Sequence, residues 1–188
     1  MDGIRVVGGK RLKGTVRISG AKNAALPIMC ATLLSDGESI VRNVPALRDI
    51  QTTKALLATL GRNVSAEPPE VYVGGGQVVP EAPYELVKQM RASIMVLGPL
   101  VARYGRAKVS LPGGCQIGTR PVDQHLRGLR ALGANIRVEK GYVLAESDRL
   151  VGAEVVFDMP TVTGAENRVM AAARAKGRAT RVTSAPAA

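Results

Sequence analysis

Apolar and polar positions alternate over short stretches bounded by glycine or proline. This period of two predicts strands at residues 4–7, 15–18, 39–42, 71–73, 108–111, 135–138, 142–145 and 154–157. Between them the apolar spacing becomes helical. One pattern spans 23–34. A second spans 48–60, with Ile50, Leu57 and Leu60 on one face, and stops at Gly61. A third covers 84–104 with Met90, Ile94, Leu97 and Val101 in register, and a fourth covers 121–132 with Val122, Leu126, Leu129 and Leu132 before Gly133. A glycine just past the last apolar position is the usual helix stop, because it takes the left-handed conformation without a Cβ penalty. The run Gly74-Gly75-Gly76 lacks the Lys-Ser/Thr that would follow in a phosphate loop, and it predicts a hairpin turn.

The pattern recurs. Leu57-x-x-Leu60-Gly61-x-Asn63-Val64 returns 72 positions later as Leu129-x-x-Leu132-Gly133-x-Asn135-Ile136, so helix, glycine stop and strand follow one another twice. Gly20-Ala21-Lys22-Asn23 returns 144 positions later as Gly164-Ala165-Glu166-Asn167, each expected to be a glycine turn feeding a helix. A unit of about seventy residues mixing strands and helices predicts an α/β domain of stacked repeats. The helix in the later copy, 168–175, is rich in alanine. Alanine favours helix but buries little area, so weak docking is expected there, with fraying over 177–188.

Composition narrows the function classes. Five aromatic residues, with no Trp, leave the core to aliphatic side chains. No apolar run reaches the length of a membrane span, and two cysteines in unlike contexts form no disulfide framework, which suits a reducing cytoplasm. The net charge of +11 raises nucleic-acid binding, yet five of those charges (Arg168, Arg174, Lys176, Arg178, Arg181) lie in the acid-free stretch from 168 onward. The remaining +6 and the scarcity of aromatic rings for base stacking argue against it.

Three stretches hold chemistry. Gly20-Ala21-Lys22-Asn23-Ala24-Ala25-Leu26-Pro27 places an ammonium at a helix start, where it and the backbone N–H groups could converge on an anion; a solvated lysine beside a cap is the plainer alternative. In the Pro/Gly-rich stretch 111–121, Cys115 has no packing role to explain it. Flanking glycines permit a mobile lid, and Arg120 with the following helix start would favour the thiolate. Cys30, between Met29 and Ala31 on an apolar helix, is read as structural. Arg120 then opens a third stretch, Arg120-Pro121-Val122-Asp123-Gln124-His125. Its guanidinium suits phosphate, and Asp123 is either a dipole partner or a hydroxyl acceptor. His125, the only histidine, has no second ligand-type neighbour for a metal. Arg91 faces either a cleft or water.

Taken in order, residues 20–27, Met90-Arg91-Ala92-Ser93, 97–103, Pro112-Gly113-Gly114-Cys115-x-Ile117-Gly118 and Arg120-Pro121-Val122-Asp123-x-His125 resemble the UDP-N-acetylglucosamine 1-carboxyvinyltransferase family. The resemblance implies two similar domains of the inside-out α/β repeat kind, closing over a cleft. It implies transfer of the enolpyruvyl group of phosphoenolpyruvate to the 3-hydroxyl of UDP-N-acetylglucosamine, in peptidoglycan synthesis, with neither cofactor nor metal. Lys22 and Asn23 would bind phosphoenolpyruvate, and Cys115 would be the lid thiol that protonates or holds the enolpyruvyl carbon. Arg91 and Arg120 would clamp phosphate and nucleotide charge, Arg120, Pro121, Val122, Asp123 and Gln124 would line the uridine pocket, and Thr161, Val162, Thr163 and Gly164 would approach the diphosphate. The same fold serves shikimate-phosphate enolpyruvyl transferases, but those lack the Pro-Gly-Gly-Cys lid.

The chain is under half the usual family length. The resemblance therefore implies an incomplete domain pair: residues 1–21 as strands belonging to an absent second domain, 22–167 as an incomplete first domain, and 168–188 as a divergent basic tail in which the likeness fades. An aspartate that takes the sugar hydroxyl proton and an arginine on the phosphoenolpyruvate carboxylate would be missing. A separately encoded second domain is the partner this suggests, or else a non-catalytic nucleotide-sugar binding role. Nucleic acid and membrane are not expected partners.

Overall fold

The computed structural model describes residues 3–87, 90–111, 122–157 and 161–183. A first unit runs from helix α1 (Lys22–Ala31) through a 3₁₀ turn (Thr32–Leu34), strand β1 (Ser39–Val41) and helix α2 (Arg48–Thr59) to the hairpin β2 (Asn63–Glu67) and β3 (Glu70–Gly74). A second unit opens with β4 (Glu81–Ala82) and α3 (Tyr84–Val87). It continues through a 3₁₀ helix (Arg91–Val96) leading directly into α4 (Leu97–Tyr104), then β5 (Arg106–Ser110), α5 (Asp123–Ala131), β6 (Asn135–Glu139) and β7 (Tyr142–Glu146). A third begins with β8 (Glu154–Phe157), α6 (Val162–Ala172) and β9 (Thr180–Thr183).

The two hairpins start at Asn63 and Asn135 and end at Gly74 and Glu146, 72 positions apart at both ends, and Gly61 and Gly133 both have positive φ, at 94° and 92°. The repeat visible in the sequence is therefore structural. The sheet order β1-β3-β2 recurs as β5-β7-β6, all antiparallel, with β4 added in parallel on the free side of β5. Strands β8 and β9 also pair in parallel. Parallel neighbours need a crossover, and the helices supply it: α3 to α4 between β4 and β5, α6 between β8 and β9.

Helices α1, α4 and α6 lie inside. Ala25, Leu26, Met29 and Cys30 of α1, Leu97, Leu100 and Val101 of α4, and Met170 and Ala171 of α6 are all buried in one core with the inner faces of the sheets. Their contacts advance in step along the axes. Asn167 of α6 bonds Ile94 and Gly98, and Glu166 acts on Cys30 of α1. Further along, Arg103 donates to Leu33 O (2.9 Å) and Arg174 to Leu34 O (3.3 Å). The three helices thus run in the same direction, and their starts share one end of the domain.

Several expectations from the sequence are corrected. Residues 3–21 form no strand, and Ile4, Val6, Val7, Leu12, Val16 and Ile18 stand at least 79% exposed. Alternation specifies a strand only where a neighbour accepts its hydrogen bonds. The helix expected over 84–104 is broken: Met90 is extended (φ −147°, ψ 116°) and a 3₁₀ segment follows, though Met90, Ile94, Leu97 and Val101 stay buried. The glycine run at 74–76 is not the hairpin turn, which falls at Pro68-Pro69 between β2 and β3. It serves close approach instead, since a Cβ on Gly76 would sit 1.8 Å from the Gly61 carbonyl oxygen.

Gly164 is no turn either. It lies in the first turn of α6, so the 144-residue match is out of step with the helices, which start at Lys22 and Val162. Nor is the stretch from 168 a charged fringe. Arg168 is 4% exposed and donates to the Ala153 (3.4 Å), Val155 (3.5 Å) and Thr180 carbonyls of the β8–β9 region, and β9 occupies part of the stretch expected to fray. The small residues of α6 permit close packing where weak docking was expected. A Cβ on Gly98 of α4 would lie 2.3 Å from Asn167 O, so only glycine allows that crossing.

Candidate functional site

Each described residue proposed from the sequence sits at a helix start. Lys22 is the first residue of α1, preceded by Ala21, which offers no side-chain cap. Its ammonium, half-exposed, meets Asp49 Oδ2 at 2.7 Å, in the first turn of α2. Asn23 beside it is exposed. The backbone of Arg91 opens the 3₁₀ helix, again without a side-chain cap. Asp123 opens α5 and accepts from Gln124 Nε2 at 3.3 Å, and Val122 precedes it half-buried. Thr161 caps α6, its Oγ1 accepting from the Gly164 N–H at 3.1 Å; Val162 is exposed and Thr163 half-buried. Cys115, Arg120 and Pro121 lie outside the described residues.

Because α1, the 3₁₀ helix and α6 run in parallel, Lys22, Arg91 and 161–164 share one end. The α5 start joins them through a buried polar chain. His125 (2% exposed) places Nε2 3.3 Å from Thr163 Oγ1, and its Nδ1 lies 3.1 Å from Asn167 Nδ2. Asn167, fully buried, also donates to Ile94 O (3.3 Å) and accepts from the Gly98 N–H at 2.7 Å. Helix starts present N–H groups and the positive end of the macrodipole, so this end favours anions. The structure brings Lys22 onto Asp49 and residues 123–125 onto 161–164.

Sequence reasoning passed over three residues here. Asp49 had only its place one residue into a predicted helix as a signal. In the sequence His125 stands out as the single histidine without a metal-ligand neighbour, and Asn167 as part of a repeat. A lone asparagine among alanines on a helix whose other small residues pack inward was the signal available for Asn167.

Cys30 is the contrast to Cys115. Burial, and secondarily the Glu166 carboxylate, push its thiol from the ordinary 9.0 up to about 12. Glu166 is itself raised by burial. Cys30 is therefore a neutral packing group. A shallow groove of ≈ 340 Å³ lies elsewhere, beside Glu81, Arg106, Lys108 and Glu146, and its Lys108 Nζ is already paired with Glu81 Oε1 at 2.7 Å. Among the described residues no cluster could hold a metal ion, and no helix is long and apolar enough to cross a membrane.

Repeated α/β units with helices inside, opening their first turns to one anion-favouring end, define an enolpyruvyl-transferase type of domain. The chain belongs to the EPSP synthase (3-phosphoshikimate 1-carboxyvinyltransferase) family, whose sequence model matches residues 6–188. That match runs through 168–188, where the likeness was expected to fade. The chain is 76% identical over 183 residues to the UDP-N-acetylglucosamine 1-carboxyvinyltransferase of Sorangium cellulosum, covering 97% of this chain and 43% of that protein. Its counterpart in Myxococcus xanthus is 57% identical over 182 residues, covering 95% and 43%.

Among solved structures, the enolpyruvyl transferase NikO of Streptomyces tendae superposes with TM-score 0.76 at 21% identity, over 93% of this chain and 41% of that one. EPSP synthase of Acinetobacter baumannii does so with TM-score 0.73 at 19% identity, over 96% and 42%. These two establish the fold. The chain spans less than half the length of the relatives it matches.

Proposed function

We propose that this chain forms one wall of the site that transfers an enolpyruvyl group from phosphoenolpyruvate to the 3-hydroxyl of UDP-N-acetylglucosamine, in the cytoplasm, with release of phosphate. The observation that carries the proposal is the gathering of Lys22, Arg91, residues 122–125 and 161–164 at one end of the internal helices. That end suits two anionic substrates, and relatives at 76% and 57% identity are named for this sugar nucleotide. Lys22 and Asn23 would hold phosphoenolpyruvate. Arg91, Arg120, Pro121, Val122, Asp123, Gln124 and 161–164 would hold the nucleotide sugar. Cys115 would act on the enolpyruvyl carbon. The Pro-Gly-Gly-Cys stretch favours UDP-N-acetylglucosamine over a shikimate phosphate as acceptor. The acid–base groups that complete the reaction would come from a second domain, so binding by this chain and turnover are separable.

The test is ligand protection. A haloacetamide at neutral pH should label Cys115 well before Cys30, and UDP-N-acetylglucosamine should slow the labelling of Cys115, read by peptide mass mapping on a sample shown folded by circular dichroism. Unchanged labelling at millimolar nucleotide sugar would sink the proposal. Phosphate release measured alongside separates a binding role from catalysis.

A further inference from the structure

We infer that His125 is a positioning residue, held as one neutral tautomer by Asn167 so that the Thr163 hydroxyl is left to donate its proton to an anionic ligand oxygen. The inference rests on the nucleotide-sugar reading above for the identity of that ligand. The chain of donors fixes each step. The Gly98 N–H can only donate, so the Asn167 atom 2.7 Å away is the carbonyl oxygen Oδ1. The other end of that amide is then the NH₂ group, and it faces both Ile94 O at 3.3 Å and His125 Nδ1 at 3.1 Å. A ring nitrogen facing an NH₂ donor must present its lone pair, so Nδ1 carries no hydrogen and Nε2 does.

Nε2–H in turn faces Thr163 Oγ1 at 3.3 Å. The hydroxyl accepts there, and its own hydrogen is directed elsewhere. Thr163 Oγ1 makes no other hydrogen bond among the described residues, and the side chain is half-buried, within reach of a ligand at the α6 start. A backbone N–H in the core of α4 thus sets the polarity of a hydroxyl at the domain's anion-favouring end, through two side chains on two other helices. A threonine without this chain would be free to rotate and to present lone pairs to a diphosphate.

Two measurements on the 188-residue chain test this. With a single histidine, ¹⁵N-histidine labelling gives one imidazole spectrum, free of assignment doubt. The protonated nitrogen should be Nε2 at pH 7. An Nδ1–H tautomer, or a freely exchanging mixture, would overturn the inference whatever the variants do. Binding of UDP-N-acetylglucosamine by calorimetry is the second. Thr163→Val, nearly isosteric, should weaken binding by about tenfold, the size of one hydrogen bond to a charged group, and Thr163→Ser should restore it to within about twofold. Wild-type binding with an unaffected Thr163→Val variant overturns the donor role and leaves the nucleotide-sugar reading standing. Absence of wild-type binding in a folded sample sinks the nucleotide-sugar reading and the ligand half of this inference together.

Discussion

Raising the pH should weaken this fold in a way that one substitution abolishes. Cys30 is 2% exposed on the inner face of α1, and its thiol is pushed from 9.0 up to about 12, first by burial and then by the Glu166 carboxylate. The sign follows from which state binds the proton more tightly. Below pH 9 both folded and unfolded chains hold it, and the stabilisation is fully present. Above pH 9 the unfolded chain releases it while the folded chain retains it, so stability falls until the folded thiol itself ionises near pH 12. At about 1.36 kcal/mol per pH unit, the three units between these values amount to about 4 kcal/mol, much of a typical domain stability of about 5–15 kcal/mol.

Urea unfolding at half-unit intervals from pH 8 to 11, for wild type and Cys30→Ala, isolates the effect, because lysine, tyrosine and Cys115 titrations occur in both proteins and cancel. At pH 8 the variant should be less stable by about 1 kcal/mol, from lost packing. The difference should close and then reverse near pH 10. Parallel stability curves across the whole range would refute the assignment of Cys30 as a buried, proton-retaining group.

Gly98→Ala should lower the melting temperature by roughly 5–12 °C: its Cβ would meet Asn167 O and Oδ1 at 2.3 Å, forcing α4 and α6 apart or breaking the bond between them, at a cost of about 2–4 kcal/mol. A melt within 2 °C of wild type would show that this crossing is looser than described. Asp49→Asn should change stability by less than about 1 kcal/mol, because the Lys22 pair is about 40% exposed. It should also raise the affinity for phosphoenolpyruvate a few-fold, since the ammonium no longer has a carboxylate at 2.7 Å to give up. Weaker binding by that variant would instead assign Asp49 to orienting Lys22.

What the sequence disclosed depended on the range over which each signal acts. The period of the hydrophobic pattern and the glycine after each helix are local, so the unit from α2 to β3, and its return from α5 to β7, could be read directly with nearly correct ends. Two of the anion-favouring helix starts could be read for the same reason, since Lys22 and Asp123 open their helices, whereas the start of α6 at Val162 was hidden behind the glycine at 164. Relations between units were not legible. Nothing near Lys22 names Asp49, and nothing near His125 names Thr163 or Asn167, which lie 38 and 42 residues away. Strand β4 has two residues and takes its identity from β5, whereas residues 4–7 and 15–18 alternate well and form no strand without a partner. The alanines of α6 mark the limit most clearly. Judged by the area each buries, they predict a loose helix. Judged against Gly98 and Asn167, their small size lets α6 approach α4 closely enough for a buried amide to bridge them and carry its orientation on to His125. Small residues at that crossing therefore serve the site as well as the packing, because a wider gap between the helices would break the hydrogen bond that sets the direction of all the others.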